Sequence, residues 1–218
     1  MRMSLLGAIV VLLAACAGAD QPRPPSGTGN FPSTAEKAAS LTDDEAKEYA
    51  TELAKERVVA ICGESRGLAA QMTCARDEIF RGFDTTGEAQ RHCDADAPIK
   101  DLLQCAVLGS FGYEIALAAD LPQAADYNWQ DPKAALKETV ASLAKAQTDV
   151  CMESSLAEIE PCMVRGFGAA FSLTEQQVAA CTDTSASGDS IDCLLRVFLV
   201  HRFESAVARM GPGEGQRA

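Results

Sequence analysis

The sequence lacks a hydrophobic run long enough to span a membrane. Its most apolar run, Leu5–Leu13, covers nine residues, whereas a helix that crosses the hydrocarbon core needs roughly 20. The next most apolar stretch, Leu194–Val200, is seven residues long and contains Arg196. We therefore predict that this second stretch forms a buried helix and not a membrane span.

Residues that usually carry catalysis or bind metals are also scarce. The chain has 2 histidines, and neighbouring cysteines are at least 11 positions apart, whereas zinc sites usually show closely spaced ligands such as C-x2-C. It contains no glycine-rich phosphate loop. We therefore expect a protein that is not an enzyme, with no catalytic residues, no cofactor and no metal site.

Basic residues are too few for a partner that carries negative charge. The chain has 19 lysines and arginines against 31 aspartates and glutamates, for a formal net charge of −12. Phosphates of nucleic acids and anionic lipid surfaces would both repel such a chain. We expect no nucleic-acid partner.

The N-terminus has the pattern of an exported precursor. Arg2 precedes the apolar run, and the small residues Ala14 and Ala15 stand before Cys16, as at a processing site. Leu13-Ala14-Ala15-Cys16 resembles the bacterial lipobox. This resemblance implies that residues 1–15 are a signal peptide, that Cys16 receives a diacylglyceryl group, and that its new amino terminus is acylated, for example with palmitate. Two or three acyl chains anchor a protein stably where one does not.

By analogy with that family, Ala17 in the second mature position, where inner-membrane lipoproteins carry aspartate, favours the outer membrane. We expect the protein to face the periplasm there. Residues 16–40 are rich in proline, glycine and serine at their start and are predicted to form a flexible tether after the lipidated cysteine. Residues 211–218 are predicted to be a flexible tail.

The remaining eight cysteines are spaced as a repeat. Successive spacings are 12, 19 and 12 residues in the first four and 11, 19 and 12 in the second four. Phe83 and Phe171 each follow the second cysteine of their set by nine residues. We predict an old tandem duplication.

Helix caps and apolar periodicity predict an all-α fold. Residues 42–45 and 131–132 have the pattern of helix starts, and residues 85–88 and 172–175 of further capping boxes. We predict two tandem four-helix repeats, 41–119 and 131–210, stapled by disulfides and joined by residues 120–130. Tyr127 and Trp129 in the join are expected to fix the halves together. Gly109 and Gly112 are expected either to allow close helix packing or to line an apolar groove.

An exported chain with an even number of remaining cysteines is expected to form disulfides. If the cysteines pair within each half and in the same way in both, three pairings are possible. A nested pairing is favoured by the near-palindromic spacing, and a sequential pairing, such as Cys62–Cys74 and Cys93–Cys105, is the alternative. The nested bonds would be Cys62–Cys105, Cys74–Cys93, Cys151–Cys193 and Cys162–Cys181.

The two histidines are the remaining candidates for a functional side chain. His92 precedes Cys93, but the equivalent Cys181 follows Ala180, so we do not expect an imidazole–thiolate pair. His201 lies in an apolar helix and is expected to be partly buried.

Three classes of function remain open. The favoured one is a lipid-anchored, non-enzymatic interaction or scaffold module that binds another envelope protein. The alternatives are a periplasmic inhibitor or immunity protein against an envelope-acting toxin or hydrolase, and a carrier of a small apolar ligand.

Overall fold

The computed structural model of the protein describes residues 34–182 and 190–211. The predicted signal peptide, Cys16, most of the predicted tether and the tail from residue 212 onward lie outside the described residues.

The described residues are helical and contain no β-strand, which confirms the predicted fold class. In chain order the helices are α1 (Thr34–Ser40), α2 (Asp43–Cys62), α3 (Leu68–Phe83), α4 (Glu88–His92), α5 (Ile99–Gln104), α6 (Ser110–Ala118), α7 (Pro132–Cys151), α8 (Ile159–Ala170), α9 (Glu175–Thr182) and α10 (Ser190–Arg209). A π-helical turn, Cys105–Gly109, joins α5 to α6, and a 3-10 turn covers Pro122–Ala124.

The starts of the two longest predicted helices are confirmed. Thr42 forms a capping box before α2, because its side chain accepts from the Glu45 amide while the Glu45 carboxylate accepts from the Thr42 amide. Asp131 accepts from the Ala134 amide at 3.1 Å at the start of α7, and proline occupies the first helical position.

The other two predicted capping boxes are wrong in position. Gly87 has a positive φ of 78°, so α4 begins only at Glu88, and Asp84 accepts from the Gln90 amide instead. Before α9 the box is formed two residues later than predicted, by Thr174 with Gln177. Ser172, the predicted cap, has a left-handed φ of 54° and ends the preceding helix.

Helix α10 lies at the centre of the fold. Its buried side chains are not confined to one stripe but include Leu194, Val197, Phe198, Leu199, Val200 and Phe203. The stretch Leu194–Val200 is therefore a buried helix, as predicted. Full burial of each such side chain contributes roughly 1.5–3 kcal/mol, so this helix is a main source of stability.

The C-terminal end of α10 is tied to the first half of the chain. The Met210 carbonyl accepts from Arg57 of α2 at 2.6 Å, and Arg209 donates to the Gly82 carbonyl of α3 at 2.6 and 2.9 Å. Glu78 accepts from the Gly211 amide at 2.5 Å. These bonds satisfy groups that a helix end leaves without partners.

The packing of helices does not divide the chain into the two predicted four-helix units. Helix α2 packs more extensively against α10 than against any other helix, and α7 packs more extensively against α6 than against any other helix. The first helix of each cysteine set thus packs on the last helix of the other set. Buried side chains from both sets form one core, so the tandem arrangement of separate repeats is not confirmed.

Two predicted boundaries need correction. Residues 34–40, which the sequence predicts as tether, form α1, in which Ala35 and Ala38 are buried against α9 and α10. Gly211, which the sequence predicts as part of the tail, is buried and hydrogen-bonded to Glu78 and Arg81. The folded part therefore extends at least from Thr34 to Gly211.

Candidate functional site

The eight cysteines after Cys16 form four disulfides between successive cysteines. The bonds are Cys62–Cys74, Cys93–Cys105, Cys151–Cys162 and Cys181–Cys193, with Cα–Cα distances of 5.6, 5.7, 5.7 and 5.6 Å. The sequential alternative is therefore correct. The favoured nested bonds Cys62–Cys105, Cys74–Cys93, Cys151–Cys193 and Cys162–Cys181 are wrong.

The length of α4 explains why the nested pairing fails. Cys74 lies nine residues before the end of α3 at Phe83, which is about 14 Å of helix. Helix α4 has 5 residues, or about 7.5 Å of helix, so it cannot run back along α3 as far as Cys74. Cys93 follows the end of α4 and bonds forward to Cys105 instead.

Two of the disulfides close helical hairpins at their turns. Cys62 ends α2 and bonds to Cys74 in α3, and Cys151 ends α7 and bonds to Cys162 in α8. We call these turns the first hairpin end (residues 59–74) and the second hairpin end (residues 148–162). Each covalent bond holds two helices together where the chain reverses direction.

Apolar side chains are exposed at both hairpin ends. In the described part of the chain, six of the seven large apolar residues that are exposed lie there. The first end exposes Val59 (54%), Leu68 (72%) and Met72 (45%), and the second exposes Val150 (62%), Met152 (64%) and Leu156 (90%). Single exposed apolar residues are common on protein surfaces, whereas clusters mark interaction sites.

The two ends differ in charge. Glu64 and Arg66 are exposed within the first end, so both signs are present there. Glu153, Glu158 and Glu160 are exposed at the second end. A partner of the second end would therefore have to complement both the apolar side chains and the acidic residues around them.

Hydrogen bonds also order the hairpin turns. The Gln71 side chain donates to the Gly63 carbonyl at 3.3 Å across the first turn. In the second, the Ser154 amide donates to the Cys151 carbonyl at 3.0 Å and the Glu158 amide to the Ser155 carbonyl at 2.8 Å. Rigid presentation of apolar groups lowers the entropy that a partner's binding must overcome.

Tyr127 and Trp129 in the join pack against the π-helical turn and α6. Both side chains are buried, with their ring centroids 5.1 Å apart. Trp129 lies against Gly109, and Tyr127 lies against Gly112, which the Leu136 backbone of α7 also approaches. Of the two expectations for the glycines, close packing is the correct one.

The two histidines occupy different surroundings. His92 stacks on Trp129 with centroids 5.4 Å apart and lies 3.4 Å from Glu88, while Cys93 beside it is bonded to Cys105 and offers no thiolate. His201 is partly buried in α10, as predicted. Burial, aided by the charges of Arg202 and Arg209, lowers its pKa.

Within residues 34–182 and 190–211, no group of side chains is able to hold a metal ion, and no helix has the length and apolarity of a membrane span. No known protein family, curated protein or solved structure shows significant similarity to the chain.

Sequence reasoning missed the exposed hairpin ends. Periodicity identifies the apolar residues that point into a core, whereas Met152 and Leu156 lie in an irregular turn between polar residues. The available signal was that both residues are apolar and lie between two cysteines 11 residues apart. A disulfide ring this small cannot form a core of its own, so apolar side chains within it are expected to be exposed.

Proposed function

We propose that the protein is a lipid-anchored, non-enzymatic interaction module of the bacterial cell envelope. Its folded helices bind another envelope protein through the exposed hairpin ends. The lipid on Cys16 holds the module at a membrane, and the outer membrane facing the periplasm is the location that the lipobox resemblance and Ala17 favour.

The observation that carries this proposal is the concentration of exposed apolar side chains at two disulfide-closed turns. Leu68 and Leu156 are 72% and 90% exposed. Exposing them to water is unfavourable by about 25 cal/mol for each Å² of apolar surface, and a partner that covers them recovers this free energy. Turns held by disulfides present such groups with little loss of conformational freedom on binding.

A photo-crosslinking side chain introduced at position 68 or 156 tests the proposal in cells that make the anchored protein. We expect a discrete adduct with one other envelope protein from at least one of these positions. Lys137, which is exposed on α7 away from both turns, provides the matched control position and should give no such adduct.

Apolar neighbours then test whether the contact is specific. Met72→Asp should abolish an adduct formed at position 68, and Met152→Asp one formed at position 156. Both methionines are exposed, so these substitutions should change folding stability by no more than about 0.5 kcal/mol. The same adducts from position 137, adducts with the chain itself only, or no adduct at either end would refute the proposed contact.

A further inference from the structure

The two hairpin ends have the same covalent frame but carry different charges. Each is a turn between two helices that a disulfide closes, with Cα–Cα distances of 5.6 Å in the first end and 5.7 Å in the second. The charges of Glu64 and Arg66 cancel in the first end, whereas the second end has four carboxylates and no basic residue. These carboxylates belong to Asp149, Glu153, Glu158 and Glu160.

Two of the four carboxylates stabilise the fold. Glu158 and Glu160 lie at the start of α8, where negative charge interacts favourably with the helix dipole. Glu160 also accepts from the Ser190 hydroxyl at 3.1 Å. The folding of α8 therefore explains these two residues, and they do not by themselves indicate a partner.

Asp149 and Glu153 lie where negative charge is unfavourable for folding. Helix α7 ends at Cys151 and has no basic residue in its last turn. The C-terminal end of a helix carries about half a negative elementary charge, and Asp149 in the last turn and Glu153 just beyond it add to this charge. Both residues are exposed, and neither forms a salt bridge with another described residue. A cationic group of a partner would offset the two carboxylates and the helix end together.

Leu156 lies at the tip of an ordered turn in the same hairpin end. The Glu158 amide donates to the Ser155 carbonyl at 2.8 Å, so Leu156 is the second residue of a β-turn. It is 90% exposed, more than any other large apolar residue of the described chain. A single apolar side chain at the tip of a fixed turn can enter a pocket with little loss of conformational freedom.

We infer that the second hairpin end is the one that docks, and that its protein partner has an apolar pocket for Leu156 bordered by lysine or arginine side chains that pair with Asp149 and Glu153. This inference rests on the proposed function and names the chemistry of the partner. The balanced charges of the first end give no such preference. The carboxylates of the second end also oppose insertion of Leu156 into an anionic lipid surface.

Charge reversal combined with photo-crosslinking tests the inference in cells that make the anchored protein. The double substitution Asp149→Lys with Glu153→Lys is introduced into the chain that carries the photo-crosslinking side chain at position 156. We expect the yield of the adduct to fall at least about tenfold, because two attractive charge pairs become repulsive. Mass spectrometry of the adduct formed without these substitutions should place the crosslink in a partner segment with more lysine and arginine than aspartate and glutamate.

Glu64→Lys with Glu138→Lys is the matched control, because it changes the net charge of the chain by the same amount. Both residues are exposed. Glu64 lies in the first hairpin end, and Glu138 lies 13 positions before Cys151 on α7, which is about 20 Å of helix. The Debye length at physiological salt is about 8 Å, so the control should change the yield at position 156 by no more than about twofold.

The melting temperature separates lost binding from lost folding. Basic residues at the C-terminal end of a helix are favourable, so Asp149→Lys with Glu153→Lys should leave the Tm unchanged or raise it. If the Tm falls, Asp149→Asn with Glu153→Gln removes both charges without adding new ones. This neutral variant should lower the adduct yield roughly fivefold, and an unchanged yield would overturn the inference.

The remaining outcomes distinguish this inference from the proposed function. An adduct from position 68 alone would overturn the inference and leave the proposed function intact. An adduct from position 156 that survives charge reversal, or that joins a segment without an excess of basic residues, would do the same. Equal loss in the matched control would mean a general attraction to the acidic chain and no basic site on the partner. Absence of an adduct from both positions would refute the proposed function and this inference together.

Discussion

Trp129 lies so close to the α-carbon of Gly109 that a β-carbon there would stand 2.6 Å from Cζ3 of the indole ring. Real β-carbons do not approach other atoms so closely, so the join and the π-helical turn can pack this way only with glycine. The same ring stacks on His92 and contacts Tyr127 and Tyr113, which leaves it little room to move.

Gly109→Ala should therefore destabilise the protein by about 1–3 kcal/mol, the usual cost of overpacking. Urea denaturation would give the change in the free energy of unfolding. In a Trp129→Leu background the same substitution should cost clearly less, because the atom that it collides with is gone. An equal cost in both backgrounds would show that glycine is needed there for another reason.

Most helices were predictable because their signals are local. Thr42 with Glu45, and Asp131 with Pro132, mark helix starts within four residues of sequence. The run Leu194–Val200 marks the most buried helix in the same way. Local propensity and apolar periodicity act on neighbouring residues, so they do not require knowledge of the fold.

The parts that were missed depend on contacts between distant residues. Spacing alone does not choose between Cys74–Cys93 and Cys62–Cys74, because the choice depends on α4 being too short to run along α3. Ala35 and Ala38 belong to the folded part only because α9 and α10 bury them. The packing of α2 against α10 cannot be predicted from the sequence of either helix alone.

Peptide mapping without reduction tests the disulfide pairing. Trypsin should release 146–165 and 166–196 as separate peptides, each with an internal disulfide, Cys151–Cys162 or Cys181–Cys193. Peptides 58–66 and 67–76 should be linked through Cys62 and Cys74. No thiol among the eight should react with an alkylating reagent. Peptides 146–165 and 166–196 linked to each other would restore the nested pairing.

Removal of the first-hairpin disulfide should weaken the fold. In the chain-entropy account, a ring with a separation of 12 residues contributes about 3 kcal/mol. The double substitution Cys62→Ser with Cys74→Ser should lower the free energy of unfolding by this amount in urea titrations. An unchanged midpoint would mean that the denatured chain already holds these two helices together.

The membrane anchor is tested at Cys16. Protein with the native residue should incorporate labelled palmitate and partition into a detergent phase, whereas Cys16→Ser should remain unlabelled and stay in the aqueous phase or uncleaved. Two or more acyl chains are enough for stable anchoring, so the difference should be nearly complete. Equal labelling of the variant would contradict lipidation at this residue.

The folding stability should fall as the pH drops through the titration range of His201. Burial and the charges of Arg202 and Arg209 lower its pKa in the folded state below the ordinary histidine value of about 6.5. The unfolded chain then binds more protons, so this contribution is fully present above about pH 6.5 and is lost as the pH falls toward the folded-state pKa. His201→Gln should lose less stability than the native chain between about pH 7.5 and 5.5. Parallel curves of unfolding free energy against pH would contradict this assignment.

Helix α10 should make the described chain unfold as one unit. Phe198 on this helix lies 4.7 Å from Phe171 and 5.6 Å from Phe111, measured between ring centroids, and thereby joins side chains of both cysteine sets. Phe171 is buried, so Phe171→Ala should cost roughly 3–5 kcal/mol. The loss should appear equally in helix circular dichroism and in the fluorescence of Trp129, because coincident transitions are the mark of a single cooperative unit.

Val150→Ala provides the control for that measurement, since Val150 is 62% exposed and its truncation should leave both midpoints within about 0.5 kcal/mol of the native protein. If the two cysteine sets folded independently, Phe171→Ala would lower the circular dichroism midpoint in part and leave the Trp129 transition where it was. We expect the opposite, because α2 packs on α10 and α7 packs on α6. The first helix of each cysteine set therefore loses the cover of its buried face when the other set unfolds.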